Sequence, residues 1–137
     1  MGGKKKITKT EYTTLASLRF ALRQFMSFSE EAAQAVGLTP QQHQALLAIK
    51  GYPDRDYVTV GELAERLLIV HHSAVGLINR LVALKLVVRQ TSPLDKRQVH
   101  IYLTPEGEKI LEDLSATHRE QLKRIGPELS RLLGTLH

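Results

Sequence analysis

Between Thr59 and Thr104 the spacing of apolar residues changes from helical to alternating, and few folds accommodate that order in so short a stretch. Thr59 followed three residues later by Glu62 is a capping box, so "TVGE" starts a helix, "VGELAERLL". A break follows at Ile69–Val70. A second helix runs from His71 or His72 to Leu84, with Val75, Ile78 and Leu81 or Val82 expected to face inward. The period then drops to two. Residues 86–91 and 98–103 are short runs, and in the second Val99, Ile101 and Leu103 alternate with Gln98, His100 and Tyr102. "TSPLDKR" between them holds turn residues and two bases, so the two runs form an antiparallel hairpin. Thr104 and Pro105 then cap and open another helix, with Glu106 and Glu108 favourable in its first turn.

The flanks are helical. Leu15, Leu18, Leu22, Phe25, Met26, Ser29, Ala33 and Val36 recur at three- and four-residue spacing, which predicts a helix over about 11–36 ended by Gly37. Thr39, Pro40 and Gln42 supply an N-cap, a first-turn proline and a capping-box partner for a helix that stops at Gly51. "GYPDRDY" reads as a loop. The last helical region runs from residue 105 to about Ile125. Gly126-Pro127 is expected to break or kink it before a short final helix ends near Leu136. Residues 1–10 read as a disordered basic arm. The expected architecture is mainly α with a small β-hairpin: a single domain over 11–137, with a winged helix-turn-helix at about 57–104 between long helices at about 11–36 and 105–136.

That central unit has a simple physical use. A major groove admits one helix, a shorter preceding helix braces it, and a basic hairpin reaches along the duplex. Ala64 is small where the two helices must approach, and Leu63, Leu67, Val75 and Ile78 can fill the space between them. The outward face of the second helix is then His72, Ser73, Gly76, Asn79, Arg80 and Ala83, with His71 and His72 at its start. Asn and Arg suit paired hydrogen bonds to base edges. Charge agrees. Of the net +5, the excess lies in the four lysines of residues 1–10 and in 57–104, where Arg66, Arg80, Lys85, Arg89, Lys96 and Arg97 face Glu62, Glu65 and Asp95.

Other classes find little support. The chain has no cysteine, which removes disulfides, thiolate metal sites and thiol redox sensing. No nucleophile elbow, phosphate-binding glycine loop or paired-carboxylate motif points to an enzyme, and no cofactor is implied. No signal peptide or membrane span is visible, so a cytoplasmic protein is the default. His71 and His72 project about 100° apart on a helix and cannot easily share a metal, so no metal site is assigned. A metal-responsive regulator built on His43, His100, His118 and acids stands as an alternative. So does a winged-helix protein-interaction module without specific DNA binding.

"ELAERL" (62–67), "SAVGLINRLVALKLVVR" (73–89) and "DKRQVHIYLT" (95–104) together resemble the MarR family of transcriptional regulators. Asp95, Arg97, Leu103 and Thr104 match the family's wing signature, and the likeness extends over about residues 11–137. The resemblance implies a homodimeric repressor on a near-palindromic duplex operator, paired through its end helices. It makes Arg97 a wing-tip arginine entering the minor groove, held by Asp95, with Leu103 anchoring the strand and Thr104 capping the last helix. Arg89 and Lys96 join the DNA-facing set. An exposed acid–base pair contributes under ~1 kcal/mol to stability, which makes stability a poor motive for this one. Family members often respond to small aromatic or amphipathic effectors, for which Tyr12, Arg19, Arg23 and His43 are candidate polar anchors. The sequence departs from the family at Lys85, where glycine is frequent after the recognition helix. The turn before that helix also looks one residue longer than the tightest spacing.

Overall fold

The computed structural model describes residues 6–136. Eight elements follow one another: α1 (Lys9–Ala35), α2 (Pro40–Lys50), β1 (Tyr57–Val58), α3 (Val60–Leu67), α4 (His71–Ala83), β2 (Val87–Thr91), β3 (Val99–Leu103) and α5 (Pro105–Gly134). Among the described residues, 6–31 together with 116–136 form one compact unit, and residues 32–115 form the other. Of the basic arm expected at 1–10, residues 1–5 lie outside the described residues. Its end is helical, because Thr8 and Glu11 form a capping box (Glu11 N to Thr8 Oγ1 3.1 Å, Thr8 N to Glu11 Oε1 3.0 Å) that starts α1 at Lys9.

The expected caps of α2 and α3 are present. Thr39 and Gln42 close a capping box at the start of α2, and Thr59 and Glu62 close another at α3. Gly37 (φ 80°) ends α1 with the paired hydrogen bonds of a Schellman turn, Leu38 N to Ala33 O and Gly37 N to Gln34 O. The same turn ends α3 and α4 without glycine: Leu68 (φ 57°) and Lys85 (φ 63°) take the left-handed position. For Lys85, the Leu86 N–H donates to Leu81 O at 3.0 Å and its own N–H to Val82 O at 2.9 Å. The departure at Lys85 therefore leaves the helix exit unchanged in shape and adds backbone strain.

The sheet has three strands, in the order β1-β3-β2, all antiparallel. The hairpin is as expected, with Arg89 opposite Ile101 and Gln90 opposite His100. β1 is an addition: Tyr57 pairs with Tyr102 and Val58 with Ile101, where the sequence suggested loop. Two residues are too few to show an alternating pattern. β3 also departs from simple alternation. Ile101 is fully buried, but Val99 lies beyond the core and is 39% exposed. His100 is buried instead, with its ring stacked 4.0 Å from that of Tyr57.

The core of the 32–115 unit gathers Leu46, Ile49, Val58, Leu63, Leu77, Ile78, Leu81, Val87 and Ile101. Each large apolar side chain buried this fully contributes about 1.5–3 kcal/mol. On α4 the inward stripe is Ala74, Leu77, Ile78 and Leu81, with Val75 and Val82 only half-buried. Ile78 and Leu81 were expected there. Ala74 and Leu77 take the place given to Val75: both are fully buried, while Val75 is half-buried.

α5 runs unbroken through Gly126 and Pro127, so the expected break does not occur. Proline clashes with the Cβ of the residue before it, and Gly126 has none. The helix loses one backbone donor and continues.

Candidate nucleic-acid interface

The helix-turn-helix is α3 and α4 joined by Leu68, Ile69 and Val70. Val70 is the N-cap of α4 and provides no side-chain acceptor, so no side chain caps the first-turn N–H groups. His71, His72 and Ser73 occupy that turn, and all three are exposed. One and two turns on, Gly76 is half-buried and Asn79, Arg80 and Ala83 are exposed. The outward face expected from the sequence is therefore outward in the fold. Gly76 keeps it low: a Cβ there would stand 3.8 Å from Nη2 of Arg80, whose guanidinium lies back along the helix.

Arg89, on β2, is exposed and donates from Nη2 to Oδ1 of Asn79. Strand and helix thus meet at a side-chain contact that sequence spacing did not indicate. Among the described residues, neither Arg80 nor Arg89 has an acid within ion-pair distance.

The wing loop joins β2 to β3 and is built around two side chains. Ser92 is buried, and its Oγ accepts the N–H groups of Leu94 (3.3 Å) and Asp95 (3.2 Å). Asp95 then takes three hydrogen bonds from Arg97: its backbone N–H (3.0 Å), Nε (3.1 Å) and Nη2 (3.4 Å). The fork from the Arg97 side chain, with its N–H, holds the Asp95 carboxyl below the usual carboxylate range. The arginine side chain is nonetheless 90% exposed. Its direction is fixed while its charge stays in solvent. Lys96, between the two, is also exposed. Sequence reasoning found the Asp95–Arg97 pair and missed Ser92, although a serine hydroxyl ahead of Pro-Leu-Asp is a recognisable turn signal.

Two further groups position the wing and α3. Thr104 accepts from Gly107 N (3.0 Å) and donates to Lys85 O (2.7 Å), tying the start of α5 to the exit of α4. Leu103 is half-buried against the core. Arg55 lies over the rings of Tyr52 (4.4 Å) and Tyr57 (4.6 Å) and pairs with Glu62. Burial pushes the Glu62 carboxyl up, but the Thr59 N–H, Arg55 and Tyr52 more than offset this, and it ends below its ordinary value.

The remaining candidates are dispersed. Tyr12, Arg19 and Arg23 lie exposed on α1, in the unit that holds most of α1. His43 is buried on α2, in the other unit. Among the described residues no three His, Asp or Glu side chains come together as a metal site, and no helix is long and apolar enough to cross a membrane. His118, considered with His43 and His100, instead meets Ser29 Oγ at 2.8 Å and the ring edges of Phe25 and Phe28.

A braced helix with a polar face, followed by a three-stranded sheet with a basic loop, defines a winged helix-turn-helix protein. The MarR family's sequence profile matches residues 36–98. The uncharacterized HTH-type transcriptional regulator YsmB of Bacillus subtilis (strain 168) is 30% identical over 107 residues, covering 78% of this chain and 71% of its own. The chain belongs to the MarR family of transcriptional regulators. Solved structures share its fold. A mutant of S. aureus MepR bound to an oligodeoxyribonucleotide has a TM-score of 0.69 at 20% identity, over 92% of this chain and 98% of that one. NadR in complex with 4-hydroxyphenylacetate has a TM-score of 0.70 at 24% identity, over 96% and 88%.

Proposed function

We propose that this chain is a homodimeric repressor that binds a near-palindromic duplex operator through α4 and the wing and leaves it when a small aromatic or amphipathic effector binds. The observation that carries this reading is Arg97: a cation forked onto Asp95, yet 90% exposed at the tip of a hairpin. A narrow minor groove concentrates negative potential and attracts such an arginine. Lys96 lies beside it for phosphate. His71, His72 and Ser73, at a helix start without a side-chain cap, meet backbone phosphate, while Asn79, Arg80 and Arg89 face base edges over Gly76. Asp95 supports the wing.

Dimerisation is supported by the apolar side chains that α1 exposes, including Tyr12, Leu15, Phe20, Leu22 and Met26, together with Leu122 and Leu133 of α5. A two-fold dimer places its two recognition helices about one DNA turn apart, which gives the operator its symmetry. Binding of an aromatic effector is supported by the similar structure of NadR, which was solved in complex with 4-hydroxyphenylacetate. Tyr12, Arg19 and Arg23 of α1 are the effector's proposed polar anchors, with His43 of α2 a separate candidate, and the protein acts in the cytoplasm, where the chromosome is. The test is fluorescence anisotropy on a duplex from upstream of the protein's own gene and on a scrambled duplex, at several salt concentrations. Selective binding that weakens steeply with salt is expected. A random pool that yields no enriched sequence would reject the reading.

A further inference from the structure

We propose that Arg89 is a positioning residue that turns the Asn79 amide into a donor, so that this helix position selects guanine and rejects adenine. The inference deepens the proposed DNA-reading role and rests on it. Arginine carries only donors, so the side-chain atom of Asn79 that meets Arg89 Nη2 must be the amide oxygen, as the structure has it. The NH2 group then points away from Arg89. A free asparagine presents oxygen and NH2 together and matches the N7 acceptor and N6 donor of adenine. Here one lone pair of the oxygen is taken. The cation beside that oxygen disfavours a second donor such as the adenine N6 group. What the site offers is donors: the Asn79 NH2, the Arg89 guanidinium and, over Gly76, the Arg80 guanidinium. Among the described residues no acid pairs with Arg80 or Arg89 to supply an acceptor. Guanine shows the major groove two acceptors, N7 and O6, and no donor. Thymine shows a single acceptor beside a methyl group that needs an apolar contact.

The experiment is selection from a random duplex pool with the full chain, followed by competition anisotropy on single-base variants of the selected site. The base pair read by Asn79 is the one whose preference Asn79→Ala flattens. With the native chain that pair should be G·C, and adenine for guanine should weaken binding at least about fivefold. Asn79→Asp keeps an acceptor for Arg89 but removes the donor, and should reduce the guanine preference. Arg89→Met frees the amide oxygen, and should bring the adenine penalty below about twofold whatever it does to overall affinity. Circular dichroism checks that each variant is folded. Adenine or thymine selected by the native chain at that pair would overturn the inference. So would an adenine penalty that survives Arg89→Met, or an Asn79→Ala that flattens no position. A pool with no enriched sequence would overturn the DNA-reading function itself, and this assignment with it.

Discussion

Gly107 is the residue whose identity the fold constrains most tightly. A Cβ there would lie 2.1 Å from the carbonyl oxygen of Leu86, a backbone atom that already accepts from Thr104 N at 3.0 Å. Gly107→Ala should therefore destabilise the chain by about 1–3 kcal/mol or more, read as a lower urea midpoint with unchanged slope. Lys85 is the opposite case. Its left-handed backbone costs about 1 kcal/mol, and glycine would remove that cost at about half as much in chain entropy. Lys85→Gly should raise stability by roughly 0.5 kcal/mol, with DNA binding unchanged. A lower melting temperature for Lys85→Gly would show that the side chain is held by something more than its backbone. The sequence allowed the second argument and not the first. A helix-exit lysine where glycine is frequent is a local signal. The approach of residue 107 to residue 86 is a long-range consequence of how β2 and α5 meet. The same division holds at the wing. Asp95 and Arg97 are two residues apart and legible. The Arg89–Asn79 contact joins a strand to a helix, and no spacing rule links them.

At the scale of elements, helix starts were the most legible part of the fold because a capping box is four residues long and entirely local. Thr39–Gln42 and Thr59–Glu62 both close as their sequences require. At α3 the two tasks of Glu62 can be separated. Glutamine can still accept from Thr59 N but loses its charge opposite Arg55. Glu62→Gln should cost less than about 1 kcal/mol, because the carboxylate is a quarter exposed and the pair is screened. Glu62→Ala should cost about 1–2 kcal/mol, since the cap and the contacts with Arg55 and Tyr52 all go. Equal losses in the two thermal melts would mean that the ion pair outweighs the cap. Helix interiors were less legible. Proline in "RIGPEL" argued for a break, yet α5 continues. Pro127→Ala restores a backbone donor within the last turns, and should raise the melting temperature with a gain of about 1–3 kcal/mol. Amide exchange should slow most around residues 123–131. Strand β1 lay below the resolution of any periodic reading, and the stacked Tyr57 and His100 rings recruit it.

For the whole molecule, the remaining question is how many wings engage one operator, and salt can count them. Each cation brought to the duplex releases condensed counterions, which contributes about 0.9 to the slope of log affinity against log salt. Arg97 has no role in the core and, among the described residues, its side chain pairs with its neighbour Asp95 alone, so Arg97→Ala should leave the fold and its melting temperature unchanged. It should weaken binding to the operator and to unrelated duplexes to a similar degree, because a wing-tip cation carries little base information. The size of the slope change then reports the assembly. A two-fold dimer carries two copies of the wing, so a single substitution in the sequence removes two cations from the complex and lowers the slope by about 1.8. A monomer on a half-site would lose about 0.9. A slope that does not change at all would take the wing off the DNA, and with it the role assigned to Arg97.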